Sequence, residues 1–484
     1  MIAIHTASRS RFVQSSILAC VMVSAIVVPR PASGGMEEAV FPSYAVLDLP
    51  PVTYNESGSK AINDVGQVVG SGSFDPDWSL PFHGLRWDLR TGLQAVDLGD
   101  MCTDCNTVSH AEDINNAGWS LVDGWYETGL LNVAWLVGPD GERVMIDPLS
   151  PGRSMAVYAM NEAREVVGFC AGDDPRTAIL WQDGETVALP HLNDVYRDSF
   201  GNDINESGLI AGRSHNGVSR QAVIWRDGAV FAVGPTDHQG SELRGVNDQG
   251  VAVGDFFEPP FGTQRAFIWR DGEWRDIHQD LTSRFGQSGT FATKINNRDE
   301  VVGTALVDPF DDIYEAFIWR RNEARLYRDL APANPAWTMH WGNDINDKGW
   351  VTGFGWANGI GRDNLRRALV MIPVSPTIII NPPSSLTPET NTEIIITNAP
   401  PGERVVLVWG LYGGGEKIIG CSLDENLLQV ENPRFLGAVV ANANGNARYR
   451  GYIPREAAGR TLVIQALNPA RCAISNLIEM EIEP

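Results

Sequence analysis

Seven residues have side chains suited to ligand binding and fall in acidic or aromatic segments between apolar runs: Trp78, His83, Phe257, Asp308, Phe310, Asp311 and Trp341. Aromatic rings offer flat apolar faces to sugars or cations. Carboxylates accept hydrogen bonds from sugar hydroxyls and attract cationic peptides. These types together predict a loop surface that binds an extracellular glycan, peptide or protein. The alternative interpretation is that they are ordinary polar and kinked residues of solvated loops.

Catalytic motifs are missing from the sequence. It contains no G-x-S-x-G, H-E-x-x-H or P-loop pattern and no clean G-x-G-x-x-G after a strand. The adjacent Asp311 and Asp312 would point apart in an extended loop, so they do not form a carboxylate pair. We therefore predict no catalytic residues, with a polysaccharide hydrolase or lyase as the alternative. No cofactor or metal ligand is predicted either. The acidic loop at Asp308 leaves calcium open, although it lacks the alternating oxygens of a calcium loop.

Cysteine spacing argues for disulfides rather than zinc. Cys102 and Cys105 form a single C-x-x-C in a polar loop, and no second C-x-x-C exists to complete a zinc site. We expect a local disulfide there and a second one between Cys421 and Cys472. Cys170 remains as a buried free thiol.

The N-terminus predicts secretion. Arg9 and Arg11 precede an apolar stretch, Ile17–Val28, which is too short to span a bilayer, and small residues follow it. Residues 1–35 are interpreted as a signal peptide cleaved near residues 32–35, with a lipoprotein signal at Cys20 as the alternative. The protein is expected outside the cell or at its surface, with the periplasm as the other compartment. No later segment is long and apolar enough to cross a membrane.

Charge limits the partners further. The 484 residues contain 60 acidic and 37 basic side chains, a balance that excludes nucleic acid, which needs a basic surface. Self-repulsion of an acidic surface is consistent with a soluble monomer.

A repeated phrase, Ile-Asn-x-x-Gly-x-Val-Val-Gly, predicts how these residues are positioned. Its asparagines are Asn63, Asn115, Asn161, Asn205, Asn247, Asn296 and Asn346, spaced by 52, 46, 44, 42, 49 and 50 residues. A repeat of this length is one supersecondary unit that must stack on its neighbours to bury its apolar faces. Short apolar runs separated by turn residues, without helical periodicity, indicate strands.

Turn chemistry explains the phrase. An asparagine opening a type I turn bonds its own backbone, and glycine three positions later supplies the left-handed conformation of a hairpin bulge. The glycines are Gly66, Gly118, Gly208, Gly250 and Gly349, whereas Arg164 and Asp299 fill the place in two repeats. The asparagines are thus predicted to form hairpins rather than bind ligand.

Two further markers complete a four-stranded unit. An Ala-Phe-Ile-Trp phrase and its variants end at Trp87, Trp181, Trp225, Trp269 and Trp319, which we interpret as core between sheets. A closing strand ends in Asp-Leu or similar, as at Asp97–Leu98 and Asp329–Leu330. The last repeat lacks this strand, but Tyr44–Pro50 stands unpartnered before the first. Its exchange into the last sheet would close a ring, and seven such sheets predict an all-β, seven-bladed β-propeller over residues 36–373.

The phrases resemble the HAF-type extracellular repeats of secreted bacterial proteins, over Tyr44 to Pro373. The resemblance implies secretion and the propeller fold, and no established reaction. One departure is that the residue before the alanine is Thr177, Gln221, Arg265, Glu315 or Arg367 rather than the histidine that gives the family its label.

Composition changes after Pro373. Residues 374–392 are rich in Pro, Thr and Ser and are interpreted as a linker with a first strand, and residues 393–484 alternate strands and turns as in a small Ig-like β-sandwich. This region resembles C-terminal sandwich domains of secreted bacterial proteins. We therefore predict a secreted, non-catalytic binding protein that uses the loop-rich propeller face. The alternatives are the enzyme named above and a purely structural surface protein.

Overall fold

A computed structural model describes residues 41–484 except 53–55, 74–81, 100–106, 127–131, 173–174, 237, 260–261, 282–288, 311–312, 332–334, 358–365, 384, 419–420 and 423–426. These residues belong to one compact unit, Ala39–Pro484. The described residues are all-β, with 61% of them in strands and 3% in helices. Among the described residues, no helix combines the length and apolarity needed to span a membrane.

The first 28 strands build four-stranded antiparallel sheets, of which the described residues contain seven. In chain order the strands are β1 (Ser43–Leu49), β2 (Ser57–Ile62), β3 (Gln67–Ser73), β4 (Phe82–Asp88), β5 (Gly92–Asp97), β6 (Thr107–Ile114), β7 (Ser120–Tyr126), β8 (Asn132–Val137), β9 (Arg143–Ile146), β10 (Ser154–Met160), β11 (Val166–Ala171), β12 (Thr177–Gln182), β13 (Glu185–Ala188), β14 (Ser199–Ile204), β15 (Ile210–His215), β16 (Arg220–Arg226), β17 (Ala229–Ala232), β18 (Ser241–Val246), β19 (Ala252–Glu258), β20 (Thr263–Arg270), β21 (Glu273–Asp276), β22 (Thr290–Ile295), β23 (Val301–Asp308), β24 (Ile313–Arg320), β25 (Glu323–Leu326), β26 (Trp337–Ile345), β27 (Val351–Ala357) and β28 (Arg366–Val374). Sheets one to six take consecutive groups of four, β2–β5 to β22–β25, and the seventh has the order β1-β28-β27-β26.

The glycine that ends the repeated Val-Val-Gly phrase allows a bulge in the facing strand. At Gly212 a Cβ would lie 2.0 Å from the carbonyl oxygen of Phe200, and the corresponding glycines of five other sheets are equally crowded by backbone. The first strand of every one of these sheets shifts register beside this point, as between Gly201 and Asp203. Glycine relieves this crowding, but the bulge does not require it, because the second sheet shifts register between Ala111 and Asp113 opposite Val122.

Strand β1 completes the seventh sheet, as the sequence predicted. It pairs antiparallel with β28 over its whole length, from Ser43 opposite Val374 to Leu49 opposite Ala368. One predicted closing strand is wrong at its end: Tyr327–Leu330 forms a short helix, α1, after β25. Tyr327 and Leu330 are buried there, so apolar burial at this position is met by one helical turn.

The tryptophan positions lie in the core. Trp87, Trp225 and Trp319 are at most 5% exposed, and Val137 and Met371, which stand in the same place in other repeats, are buried as well. The interpretation as core is confirmed for four of the five tryptophans, including Trp181, whereas Trp269 is only partly buried against the core of its sheet. Burying a large apolar side chain at this position stabilises neighbouring sheets against one another.

The C-terminal strands form two facing sheets and a hairpin. They are β29 (Ile379–Asn381), β30 (Asn391–Thr397), β31 (Arg404–Gly410), β32 (Gly413–Lys417), β33 (Leu427–Val430), β34 (Arg434–Val440), β35 (Ala447–Tyr452), β36 (Thr461–Asn468), β37 (Ala473–Ile474) and β38 (Ile478–Glu481), with a 3₁₀ turn at Arg455–Ala457. One sheet has the order β29-β30-β35 and the other β34-β31-β36-β37, with β38 paired to β36. Ile394 and Ile396 of the first sheet share a core with Leu407 and Ile464 of the second.

The hairpin of β32 and β33 covers β1. Leu47 and Leu49 share an apolar cluster with Leu427 and Val430, and the Gln429 side chain donates a hydrogen bond to the Tyr44 carbonyl at 3.0 Å. The strand that completes the seventh sheet is therefore buried beneath the C-terminal region.

The disulfide predictions fall partly within the described chain. Cys421 and Cys472 form a disulfide, and Cys170 is a buried free cysteine. Cys102 and Cys105 lie outside the described residues.

Candidate functional site

The repeat asparagines form the predicted hairpin turns. In all seven repeats the asparagine Oδ1 accepts the backbone N–H four residues later at 2.8–3.0 Å. In four of the repeats it also accepts the N–H two residues later. The expected left-handed backbone occurs at the glycines and at their two replacements, Arg164 (φ 65°) and Asp299 (φ 59°). The turn prediction is confirmed.

Each asparagine also joins two sheets, which the sequence analysis missed. The Nδ2 group donates to the backbone carbonyl of the next repeat's asparagine in six links of 2.9–3.3 Å: Asn63 to Asn115, Asn161 to Asn205, Asn205 to Asn247, Asn247 to Asn296, Asn296 to Asn346 and Asn346 to Asn63. The exception is Asn115, whose buried Nδ2 has no partner among the described residues. The link from Asn346 to Asn63 connects the last repeat to the first.

The residue after each asparagine extends this pattern into a closed circuit. The members, here called the asparagine-side rim, are Asp64, Asn116, Glu162, Glu206, Asp248, Asn297 and Asp347. The backbone N–H of each donates to the side-chain oxygen of the next, and Asp347 donates to Asp64, at 2.7–3.1 Å throughout. Five of the seven are carboxylates, so this end of the sheets is acidic. Burial and the neighbouring Glu162 and Asp248 raise the pKa of Glu206.

Sheets are also joined six residues before the asparagines. Hydroxyl groups there accept the backbone N–H at the start of the third strand of an adjacent sheet, at 2.9–3.0 Å: Gly84 to Ser109, Ala178 to Ser199, Ala222 to Ser241, Ala266 to Thr290 and Ala368 to Ser57. A serine or threonine six residues before the asparagine therefore marks a contact between sheets, which was not predicted from the sequence.

A buried charge cluster lies beneath the asparagine-side rim, at the residue two places before each asparagine. In repeat order these residues are Ala61, Asp113, Ala159, Asp203, Gly245, Lys294 and Asp344. The four charged members, Asp113, Asp203, Lys294 and Asp344, line a cavity of about 270 Å³ together with the rim. The sequence predicted only hairpin turns at this end of the sheets, and aligning the repeats at this position reveals the buried charges.

Each aspartate of the cluster bonds the next sheet, where the matching residue is small. Asp113 accepts the Met160 N–H at 2.7 Å, and Asp203 and Asp344 accept from Val246 and Ile62 at 2.8 Å. The matching residues in the three sheets that they bond are Ala159, Gly245 and Ala61. Three aspartate–small pairs account for six of seven sheets, and the odd sheet supplies Lys294.

The protonation of the cluster follows from burial. Burial raises the pKa of Asp113 to about 7, opposed by Lys294 and the Met160 N–H and reinforced by Asp344 and Asp203. Burial likewise raises the pKa of Asp344. For Lys294, burial disfavours the charged form, but Asp203, Asp113 and Asp344 outweigh it and raise the pKa. The ammonium is therefore charged in the neutral pH range and holds the three carboxyl groups together.

The opposite ends of the first strands carry a different set of side chains. We call loop-side ring the residues five places before the asparagines with their partners on the second strands: Gly58 with Ser71, His110 with Asp123, Ala156 with Phe169, Phe200 with Arg213, Glu242 with Asp255, Phe291 with Thr304, and Trp341 with Phe354. Five residues of strand separate it from the asparagines by roughly 17 Å.

An aromatic stack crosses the loop-side ring between the sixth and seventh sheets. The ring centroid of Trp341 lies 5.0 Å from that of Tyr314 and 5.9 Å from that of Phe354, with interplanar angles of 27° and 17°. The guanidinium carbon of Arg366 lies 4.1 Å from the Phe354 centroid. Phe291 adds a tilted ring at 5.4 Å from Trp341. Tyr314, Trp341, Phe354 and Arg366, from four different strands, thus form one continuous stack.

Arg366 occupies the place that Gly58 leaves open. A Cβ on Gly58 would lie 3.3 Å from Arg366 Nη2, so the guanidinium replaces the missing side chain of the first sheet in the ring. Burial lowers the pKa of Arg366, with Glu56 opposing. Its Nε has no hydrogen-bond partner within the described chain.

Two clusters of charged side chains lie elsewhere in the loop-side ring. Glu242 bonds both Arg213 and Arg244, and Arg244 Nε donates to Asp255 at 2.5 Å, so these charges are mutually satisfied. On the second sheet, Glu112 pairs with Lys60 at 3.0 Å. Burial and the nearby Glu112 raise the pKa of Asp123 well above its ordinary value.

The structure brings together few of the predicted binding residues. Trp341 belongs to the stack, but it lies within β26 rather than in a loop before it. Asp308 and Phe310 sit on the β23–β24 hairpin that carries Tyr314, where Asp308 Oδ1 accepts the Phe310 N–H at 2.9 Å and the Phe310 side chain is 94% exposed. These three residues lie in the same region of the loop-side face.

The other predicted residues lie elsewhere. Phe257 is in β19, which pairs as far as Glu258 opposite Thr263, and its ring is covered by Arg220 at 4.4 Å. His83 is 8% exposed in β4, and its Nδ1 lies 3.1 Å from Asp97 Oδ2. Trp78 and Asp311 lie outside the described residues. The predicted set therefore does not form one site.

His83 corrects one statement of the sequence analysis. Gly84 pairs with Ser71 as Ala222 pairs with Arg213, so His83 stands at the position before the repeat alanine. A histidine is thus present there in the first repeat. This histidine was not recognised from the sequence, because Gly84 replaces the alanine that marks the position in the other repeats.

No metal arrangement is evident in the parts of the chain that the structure describes: no group of three or more His, Cys, Asp or Glu side chains could hold an ion. Calcium binding at the Asp308 loop stays a prediction, because this loop includes Asp311, which lies outside the described residues.

Among the described residues, seven linked four-stranded antiparallel sheets define the class of the protein as β-propeller-like and all-β. Among solved structures it is similar to virginiamycin B lyase from Staphylococcus aureus, at 10% identity, with 68% of this chain and 99% of that chain covered and a TM-score of 0.42. A fungal alcohol oxidase of the AA5 family, in complex with copper, is 10% identical, with 92% and 100% covered and a TM-score of 0.40. TolB from Acinetobacter baumannii is 10% identical, with 54% and 65% covered and a TM-score of 0.33.

Similarity at this level gives no information about the activity of this chain. No family model matches the chain, and no curated protein matches it.

Proposed function

We propose that this chain is a secreted, non-catalytic binding protein that recognises an extracellular glycan through the aromatic stack of its loop-side ring. Its scaffold is a seven-bladed β-propeller closed by β1 and followed by an Ig-like β-sandwich, and its repeats are of the HAF type. The bonds from Asn346 to Asn63 and from Asp347 to Asp64 support closure, since they join the last sheet to the first.

The stack of Tyr314, Trp341, Phe354 and Arg366 is the observation that carries this proposal. Loops and strand ends on a rigid scaffold are where binding groups concentrate. Aromatic faces contact the apolar C–H faces of sugars, and a guanidinium donates to their oxygens. A peptide or a matrix protein would bind the same surface, and binding assays distinguish these two ligand classes from a glycan.

Binding of residues 36–484 to glycan and peptide arrays, with and without EDTA, tests the proposal. Glycan binding should fall at least tenfold in Trp341→Ala and in Arg366→Gln, which removes the charge with little change in packing. The matched control is Trp274→Ala, which removes an exposed tryptophan on the fourth strand of the fifth sheet, 40% exposed, and should bind like the parent. Equal binding by all four proteins would overturn the assignment to the stack. No binding to any ligand would favour a structural surface protein.

A polysaccharide hydrolase or lyase is the second candidate, favoured by the raised pKa of Asp123 beside Glu112. A carboxyl group whose pKa is raised so that it stays protonated has the properties of a general acid. Product release from acidic and neutral polysaccharides, abolished in Asp123→Asn with binding retained, would establish this alternative. Binding without turnover supports the non-catalytic proposal.

A further inference from the structure

A second concave site lies in the C-terminal region, between its two facing sheets. Ile394 and Tyr449 line one side of the cavity, and Trp409, Leu462 and Ile464 line the other. Its volume is about 360 Å³ and its walls are mainly apolar. Protein interiors are normally packed as densely as organic crystals, and pockets for organic ligands begin at about 300 Å³.

One wall of this cavity is held in a fixed position. The Tyr449 ring lies flat against Gly437 and Gly451, where a Cβ would come within 2.2 Å and 2.9 Å of ring atoms. The Tyr449 hydroxyl donates to the Leu436 carbonyl at 2.9 Å, which tethers the far end of the ring across the sheets. Two glycines and a hydrogen bond therefore prevent the aromatic side chain from collapsing into the space. The cavity is preorganised rather than a packing defect.

Two charged side chains lie at the mouth of this C-terminal cavity. Arg460 and Glu456 both line the cavity and are exposed, and neither forms an ion pair with another described residue. A guanidinium is weakly hydrated and sits on a flexible apolar stem, so pairing with an anion at the edge of an apolar cavity costs it little hydration. A carboxylate holds its water more strongly, which disfavours Glu456 as the pairing group.

We propose that this cavity binds an amphiphile with an apolar body and a single anionic head, the body lying between the sheets and the head pairing with Arg460. Fatty acids and lipid-derived carboxylates share this chemistry. The site is independent of the loop-side ring, because all residues that line it lie between Leu386 and Ile482.

Isothermal titration of residues 36–484 with dodecanoate, dodecanol and dodecylammonium tests the proposal. Dodecanoate should bind with a stoichiometry of one and more tightly than the other two. Arg460→Gln should weaken dodecanoate about tenfold and leave dodecanol unchanged, as expected for loss of one charged hydrogen bond. Arg455→Gln, at a nearby arginine outside the cavity lining, is the matched control and should bind like the parent.

A blocking variant tests the location. Ala457→Trp, at a partly exposed cavity residue, should abolish binding of all three probes while the circular dichroism spectrum stays that of the parent. Dodecanoate binding that survives this change, or the absence of binding by the parent, would overturn the site. Equal binding of dodecanol and dodecanoate, insensitive to Arg460→Gln, would overturn the anionic head, as would a preference for dodecylammonium. If Ala457→Trp fails to fold, the Arg460→Gln comparison decides alone.

Discussion

The Lys294 ammonium lies 2.5 Å from Asp203 Oδ1, although these residues belong to the sixth and fourth sheets. The fifth sheet permits this contact because it has Gly245 at the matching position, where a Cβ would already lie 3.0 Å from the Lys294 Cα. A single cation thus compensates carboxyl groups from several repeats. Seven is an odd number, so pairing each aspartate with a small neighbour leaves one sheet over, and the lysine occupies it.

Removing this cation should destabilise the fold strongly. Lys294→Met keeps most of the side-chain volume but leaves three carboxyl groups without a counter-charge, and breaking a buried ion pair in this way costs about 3–5 kcal/mol. Urea unfolding at pH 7 measures the loss. Lys417→Met, at an exposed lysine, is the control and should change stability little. A Lys294→Met protein as stable as the control would contradict the role given to the cluster, and Lys294→Met with Asp203→Asn should recover part of the loss.

Stability should depend on pH through Asp113. Its folded pKa of about 7 exceeds the ordinary 3.8, so the folded state binds the extra proton. The stability it provides is complete below pH 4 and is lost as pH rises through about 7, by about 4 kcal/mol at most. Asp113→Asn does not titrate and should lack this decline. Unfolding free energies at pH 4.5, 6 and 8 give the slope, with Asp140→Asn as an exposed control. Equal slopes for Asp113→Asn and the parent would rule out the raised pKa, whatever the constant offset from lost hydrogen bonds.

The asparagine links should be unequal in strength. Asn205→Asp retains the acceptor that closes the turn but replaces the Nδ2 donor to the Asn247 carbonyl with an oxygen. Asn115→Asp makes the same change where Nδ2 has no described partner. We expect Asn205→Asp to lose about 1–3 kcal/mol more than Asn115→Asp in chemical denaturation. Since both variants bury the same charge, their difference isolates the link. Equal losses would show that the link adds nothing.

Strand β1 should be essential to the whole ring of sheets. Leu47 is 4% exposed and packs against the C-terminal hairpin, so Leu47→Ala should cost about 2–5 kcal/mol. Deletion of Ser43–Leu49 should cost more, because it also exposes the edge of β28. Thermal unfolding compares both with Val52→Ala, a change at a 42% exposed residue. A deletion variant that melts with the parent would refute completion of the seventh sheet by β1.

Much of the scaffold could be predicted because its signals are local. The turn at Asn205 and Gly208 involves five consecutive residues, so its hydrogen bonds and left-handed glycine follow from residue types alone. The pairing of β1 could be inferred because Tyr44–Pro50 matched a missing strand in composition. The helix at Tyr327–Leu330 could not, since its residues suit a strand equally well and burial against the seventh sheet decides between them.

The site was less predictable. Trp341 was recognised as a candidate by its type, but its partners Tyr314, Phe354 and Arg366 come from other strands and carry no mark of their own in the sequence. His83 and Phe257 were chosen for the same reason as Trp341, and the structure engages them with Asp97 and Arg220 instead. Residue type tells what a side chain can do, whereas its neighbours depend on register and on the order of the sheets.

By itself the sequence determined the repeat and the turn at each asparagine, because these depend on contacts within a few residues. Tertiary structure alone decided what the asparagines join, as in the bond from Asn346 to Asn63 across 283 residues. It likewise gathered Asp113, Asp203, Lys294 and Asp344 around one cavity. The physical reason is that a short turn constrains its own backbone, while a contact between distant sheets exists only when every intervening sheet has taken its place.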